Sequence, residues 1–211
     1  TLSTAIAIPL GIIAASHHSK PLDVVVMTFS QLGIAIPNFW FALLLIILFS
    51  VTLRILPAGG FVGWDAGLIP ALTSLLLPTI ALALPRSAIL ARVTRSSLLE
   101  VLKEDYIRTA QAKGSRRWRV LFHHALRNAL IPVVTIMGLQ FSFLLAGTII
   151  IENVFYLPGI GRLIFQAIAQ RDLIVVKNLV ILLAATVIVI NFIVDLLYAL
   201  IDPRLRGGDD A

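Results

Sequence analysis

Two adjacent histidine pairs, His17-His18 and His123-His124, and one acid well inside an apolar run, Asp195, are the side chains of this 211-residue chain whose types could do chemistry. Paired imidazoles could ligate a divalent metal, and a carboxylate surrounded by apolar residues could relay protons. The spacing argues against both. Neighbours on a helix point about 100° apart, so neither histidine pair converges on one ion, and both read as polar residues at a membrane interface. Asp195 lies seven residues before Asp202, about 10 Å of helix from the end of its run. That is away from the midplane, so a buried pair or an interfacial carboxylate fits better than a proton relay. Arg86, directly after Pro85, reads as a snorkelling anchor or a packing partner rather than a substrate ligand. With no cysteine in the chain, disulfides and thiolate metal sites are excluded.

The elements that must hold these residues are membrane helices. The chain is 59% hydrophobic and 13% charged, with a mean hydropathy of +0.98, far from the averages of soluble domains. Its formal charge of +6 does not point to nucleic acid, because the cations are concentrated beside apolar runs, where orientation in a membrane accounts for them. Thr1 stands already inside an apolar run, which reads as a fragment or processed product with a segment missing upstream.

An α-helix needs about 20 apolar residues to cross the hydrocarbon, and five segments approach that length. Leu2 to Ala15 is short. Leu22 to Leu53 is too long for one straight span and carries Gly33 and Pro37-Asn38, so it reads as one span with a kink or an interfacial lead-in. Leu68 to Leu90, with Pro70, Pro78 and Pro85, should bend and pack against neighbours. Ala129 to Ile151 and Asn178 to Ile201 complete an all-α polytopic bundle. Within or beside these runs, Gln31, Asn38, Thr135, Gln140, Ser142 and Asn191 should bond across helices, a minority lining a pathway. The loops 16–21 and 92–128 with the tail 203–211 carry 12 Lys/Arg, against four in the loops 54–67 and 152–177. The N-terminus therefore begins outside and the C-terminus ends in the cytoplasm.

The loop from Arg92 to Asn128 holds nine of the chain's 17 Lys/Arg. Its pattern predicts two short helices meeting at Gly114. In the first, Leu98, Leu102, Tyr106 and Ala110 form an apolar stripe; in the second, which follows Ser115 as N-cap, Trp118, Leu121, Phe122 and Ala125 form another. Spacing alone leaves two partners open, an anionic lipid surface or a protein. Outside, Pro158, Gly159 and Gly161 predict a turn before a short amphipathic stretch from Arg162 to Gln170.

RTAQAKG at Arg108 to Gly114, followed by HALRNALIP at His124 to Pro132, resembles the coupling-loop signature of binding-protein-dependent ABC transporter permeases, and most closely the dipeptide, oligopeptide and nickel branch. Where the general signature has Glu-Ala-Ala, three residues and Gly, this chain has Arg108, Thr109 and Ala110 before Gly114. Only the second Ala and the Gly match, so contacts specific to the Glu do not carry over. IPNFWFALLLI (36–46), LPAGG (56–60), ENVFYLPGIGR (152–162) and IVDLLYALIDPRLR (193–206) extend the resemblance over nearly the whole chain.

The resemblance implies an ABC importer permease fold, with residues 1–211 as a transmembrane domain and 92–128 as its cytoplasmic coupling loop. Arg108, Thr109, Ala110, Gln111, Ala112, Lys113 and Gly114 would meet the ATPase. It implies a non-enzymatic permease in a prokaryotic inner membrane, working with a second permease subunit, two cytoplasmic ATPase subunits, an external substrate-binding protein and surrounding lipid. The chain has no GxxxxGK[ST] loop, so ATP and Mg would belong to the ATPase subunits. The external loop would be a gate and docking surface. Peptides are the implied cargo and nickel the alternative. An ion-coupled secondary transporter, the reading from another class, would call for midplane carboxylates or an internal repeat, and the sequence offers neither.

Overall fold

The computed structural model describes residues 1–201, leaving aside the side chains of Arg117, Ser142, Leu145, Ala146, Asp195 and residues 197–201. The expectations for the side chains of Ser142 and Asp195, and for Asp202, Arg204 and Arg206, lie outside the described residues. The order is α1 (Leu2–Ser16), α2 (Pro21–Ala35), α3 (Asn38–Leu45) continued by a π-helical stretch (Ile46–Thr52), a single 3-10 turn (Trp64–Ala66), α4 (Leu68–Val101), α5 (Asp105–Ala112), α6 (Arg117–Arg119) continued by a second π-helical stretch (Val120–Ala125), α7 (Leu126–Val154), α8 (Ile160–Ala169) and α9 (Leu173–Ile201).

Leu68–Val101, Val120–Phe141 and Leu173–Val194 are long and apolar enough to cross a bilayer, and a fourth span results if the two helices flanking Pro37 are counted together. α1 is apolar but only 15 residues long. Among the described residues, then, three or four of the five expected spans are long and apolar enough to cross, with α1 as the short remaining candidate. Several boundaries differ from the expected ones. α4 does not stop at Leu90 but continues through Pro78 and Pro85 to Val101, 34 residues in all; at ~1.5 Å per residue its C-terminal end runs well past a hydrocarbon layer. In the 22–53 run, Gly33 is not a break. It lies inside α2, packed towards Ala88, and the helix ends where Pro37 takes up extended backbone (φ −61°, ψ 136°) ahead of α3.

The chain forms two compact units: Thr1–Ile34 with Arg86–Gln140 and the segment from Ile193, and Ala35–Pro85 with Phe141–Phe192. In the first, small residues set the packing. Ala7, Leu90, Ala91 and Val133 form one buried cluster; Ala15, Leu98, Ile107, Val120, Ala125 and Ala129 form another. A Cβ on Gly11 would stand 2.5 Å from Thr94 Cβ, and one on Gly138 would collide with Val194, so α1 lies directly on α4 and α7 on α9. Lipid tails are as apolar as leucine, so helices in a membrane gain by close approach of small residues more than by hiding large ones. Gln31 and Gln140 bond across helices as expected: Arg92 Nη1 donates to Gln31 Oε1 (3.2 Å), and Gln140 Nε2 donates to the Arg86 carbonyl (3.5 Å). Thr135 instead donates to Ile131 O in its own helix.

The second unit is centred on Ala42, Leu45, Leu77, Ala81, Ile151 and Phe155. Its 56–60 loop is tied down at Gly60, whose N–H donates to the Phe155 carbonyl at 2.7 Å, while Gly59 lies flat against the same carbonyl. α9 buries no residue between Leu173 and Val194, and Ile174 and Phe192 are about seven-tenths exposed. An apolar helix with that much open surface suits a lipid environment.

Candidate functional site: the loop joining α4 to α7

The helix–glycine–helix form is present, but its first helix is not the predicted one. α4 ends at Val101, and tight bonds from Lys103 N to Glu100 O and from Glu104 N to Val101 O close it before α5 starts afresh at Asp105. Asp105 sits in the first turn of α5, where its charge faces the positive end of the helix dipole. The break changes the phase of the stripe. Tyr106 is 42% exposed, and Ile107, which the four-residue spacing left out, is fully buried among Ala15, Leu98, Val120, Ala125 and Ala129. Tyr106 has a different role: its hydroxyl accepts from Asn128 Nδ2 (2.7 Å), clipping α5 to the start of α7.

At the far end of α5, Gly114 takes φ +80°, in the left-handed region that costs a glycine little. Gly114 N donates to Gln111 O and Ser115 N to Ala110 O, so the last carbonyls of α5 are satisfied as the chain turns. The next helix starts at Arg117, and it is the Arg116 carbonyl that accepts from Val120 N; Ser115 is therefore not its N-cap. The π-helical stretch that follows corrects the second stripe. Ala125 is buried and Leu121 packs on the same cluster as expected, but each turn there holds extra backbone, so Val120 turns inward while Trp118 is 70% exposed and lies tilted on Phe122 with ring centroids 3.9 Å apart. Together with Pro9, Ile12, Ile13, Ser16 and His17 of α1, Trp118, Leu121 and Phe122 line an apolar groove of about 600 Å³.

Of the seven predicted site residues, Arg108, Thr109, Gln111, Ala112, Lys113 and Gly114 are exposed and only Ala110 is half-buried. Arg108 Nη1 lies 3.5 Å from Asp105 Oδ1, a wholly surface pair, and Thr109 Oγ1 donates to the Asp105 carbonyl within the helix. α5 is thus a short helix that rests on Ile107 and offers the rest of its surface outward. Among the described residues, no group of three or more His, Asp or Glu could hold a metal ion. His17 Nδ1 is tied to Ile13 O, and the His123 and His124 rings stand edge to face, 5.1 Å apart.

Two arrangements escaped the sequence reading. Beside the loop, Asp23 is 3% exposed and accepts from Arg95 Nε (2.5 Å), Arg95 Nη2 (2.7 Å) and Ser19 N (3.0 Å). His18 Nδ1 stands 3.3 Å from the same carboxylate. In the second unit, Glu152 Oε2 accepts from Gly161 N (2.8 Å) and Arg162 N (3.2 Å), seating a carboxylate on the N-terminus of α8. A Cβ on Gly159 would collide with that carboxylate and one on Gly161 with Ile149, which accounts for both glycines in ENVFYLPGIGR. Gly161 is accordingly part of the helix rather than of the turn before it. Arg162 bonds back to the Tyr156 carbonyl (2.9 Å) and lies over the Tyr156 ring. Glu152 and two glycines within one eleven-residue string were the available signal; for Asp23 and Arg95, 72 residues apart, there was none.

A family model described as "binding-protein-dependent transport system inner membrane component" matches residues 7–207. The chain belongs to this family. It is a multi-pass membrane permease of the ABC type. The permease is 42% identical over 205 residues to a probable peptide ABC transporter permease of Sinorhizobium fredii, covering 97% of this chain and 66% of that one. It is 46% identical over 216 residues to the di/tripeptide transport system permease of Pseudomonas aeruginosa (93% and 64% covered). With the oligopeptide transport system permease of Bacillus subtilis it shares 42% identity over 207 residues (97% and 66% covered). The permease thus spans about two thirds of the length of these relatives.

Proposed function

We propose that this chain is a pathway-forming subunit of an ATP-driven importer of short peptides, and that residues 1–211 act as one transmembrane domain whose loop 92–128 couples transport to ATP hydrolysis on separate subunits. The observation that carries the reading is α5. A helix that, with its closing turn, leaves six of the seven coupling residues exposed, held by the buried Ile107 and closed at Gly114, suits the surface groove of a soluble protein better than the hydrocarbon. The peptide cargo rests on the names of the relatives. The transporter works in a prokaryotic inner membrane, with α5 on the cytoplasmic side, a reading supported by the excess of Lys and Arg around it, and the α8 region outside facing a substrate-binding protein. A second permease subunit completes the pathway, and two ATPase subunits bind ATP and Mg.

Binding of ATP draws the ATPases together, and the displacement passes through α5 into α4 and α7, opening the pathway outward to a loaded binding protein. Hydrolysis resets it. Reconstitution of the full permease pair with its ATPases and binding protein in vesicles tests this: labelled di- and tripeptides should accumulate only with internal or external ATP on the ATPase side. Uptake driven by a proton gradient without ATP, or uptake of nickel in place of peptide, would overturn the mechanism or the cargo respectively.

A further inference from the structure

We propose that Asp23 and Arg95 form a transmission clamp that makes the corner between α1 and α2 move with the coupling end of α4, a role that rests on the importer reading above. α4 runs directly into the coupling loop, and Arg95 lies six residues before its last residue, Val101. Displacement of α5 therefore has only the three-residue link 102–104 to cross before it enters the last turns of α4 and reaches Arg95. The α1–α2 corner has no such covalent route. Beyond the packing of α1 on α4, the directional tie is the Asp23 carboxylate, which receives Arg95 Nε on Oδ1 and, on Oδ2, both Arg95 Nη2 and the backbone N–H of Ser19 within the corner itself.

The geometry suits transmission rather than simple attachment. A guanidinium donating through two nitrogens to two carboxylate oxygens fixes direction as well as distance, so the pair resists rotation and sliding where a single contact would swivel. Asp23 is buried, and its position is set by the corner: Ser19 holds φ +61°, an uncommon conformation for a non-glycine residue, and thereby turns its N–H onto Asp23. His18 Nδ1 stands 3.3 Å from Asp23 Oδ2 and 3.1 Å from Arg95 Nη2, at the edge of the pair. Further along, Arg92 bonds Gln31 and Gly33 packs against Ala88, so α2 follows α4 over several turns once the corner is clamped. Asp23 and Arg95 are positioning residues, and neither is needed to meet cargo or nucleotide.

In the complete reconstituted transporter, Asp23→Asn keeps size and removes the charge that holds the fork. ATP hydrolysis should continue at near the unaltered rate while peptide uptake falls about tenfold, lowering the peptide carried per ATP. Arg95→Lys, which keeps charge but not the fork, should lower that ratio by an intermediate factor. Exchange of the pair, Asp23→Arg with Arg95→Asp, should restore at least half of it. Uptake and hydrolysis falling together in proportion to assembled complex would make the pair a stabilising contact only and overturn the proposal, as would an unchanged ratio in Asp23→Asn. An unaltered transporter without ATP-driven uptake would instead refute the importer reading.

Discussion

Ile107→Ala should detach α5 from its seat while leaving its exposed coupling residues chemically intact. An eight-residue helix is marginal on its own, because nucleation is costly and few bonds repay it. Its docking rests on Ile107, fully buried among Ala15, Leu98, Val120, Ala125 and Ala129, on half-buried Ala110, and on the bond between Tyr106 and Asn128. Truncating a buried isoleucine to alanine costs about 2–5 kcal/mol. At about 1.4 kcal/mol per tenfold, local opening of α5 rises roughly 30-fold at the low end and a few thousand-fold at the high end. The amides of Lys113, Gly114 and Ser115, bonded to Thr109 O, Gln111 O and Ala110 O, report that opening directly by hydrogen exchange. Tyr106→Phe, which removes the acceptor of the Asn128 amide, should raise the same exchange only about fivefold, as expected for a hydrogen bond worth about 1 kcal/mol. Protection of these three amides within threefold of the unaltered protein would refute the idea that Ile107 anchors α5. An equal loss of protection throughout α4 and α7 would show Ile107 to be part of the general core instead.

Further outcomes follow from three glycines and an acid. Gly114→Val places a β-branched residue at φ +80° with open space around it, so its cost of about 1–3 kcal/mol is backbone strain alone; peptide uptake per ATP should fall, and less so for Gly114→Asn, which tolerates that conformation, whereas unchanged uptake and unchanged ATPase stimulation in Gly114→Val would remove the corner from the mechanism. Gly11→Leu drives a side chain into Thr94 Cβ and the Ala91 carbonyl, and should lower the thermal midpoint in detergent through about 1–3 kcal/mol of overpacking; an unchanged midpoint would mean that α1 does not lie against α4 as described. Glu152→Ala leaves the N–H groups of Gly161 and Arg162 without their acceptor, at about 0.5–2 kcal/mol, so those two amides should exchange faster. Gly159→Ala should loosen the same turn by pushing the carboxylate away; slow exchange retained in both variants would count against the Glu152 cap.

What the sequence made legible divides along the range of the interactions involved. Gly114 was readable because one backbone conformation favours one residue type, and the structure has that conformation there. The apolar stripes were read in the right places and with most of their members, Leu98 and Ala125 being buried and Leu102, Ala110 and Leu121 packed against them, but not all, since periodicity assumes an unbroken 3.6-residue helix. The break at 102–104 moved the buried position from Tyr106 to Ile107, and the π-helical stretch at 120–125 turned Trp118 outward and Val120 inward. Both departures put large apolar or aromatic groups on the outside of the loop, a pattern that a soluble domain would hide and that a subunit with a partner to meet can use. ENVFYLPGIGR was readable as a string, whereas its reason, the Glu152 carboxylate lying where a Gly159 Cβ would be and Ile149 where a Gly161 Cβ would be, exists only in three dimensions. Asp23 lies furthest from legibility: beside Leu22 and the valines that follow it looks like an ordinary interfacial acid, and its meaning depends on an arginine 72 residues away. Coupling between distant elements has to be carried by such long-range pairs, because local pattern can place a helix but cannot say what moves with it. The residues that say most about how this permease is put together therefore lie where the sequence taken alone says least, at the joints between helices.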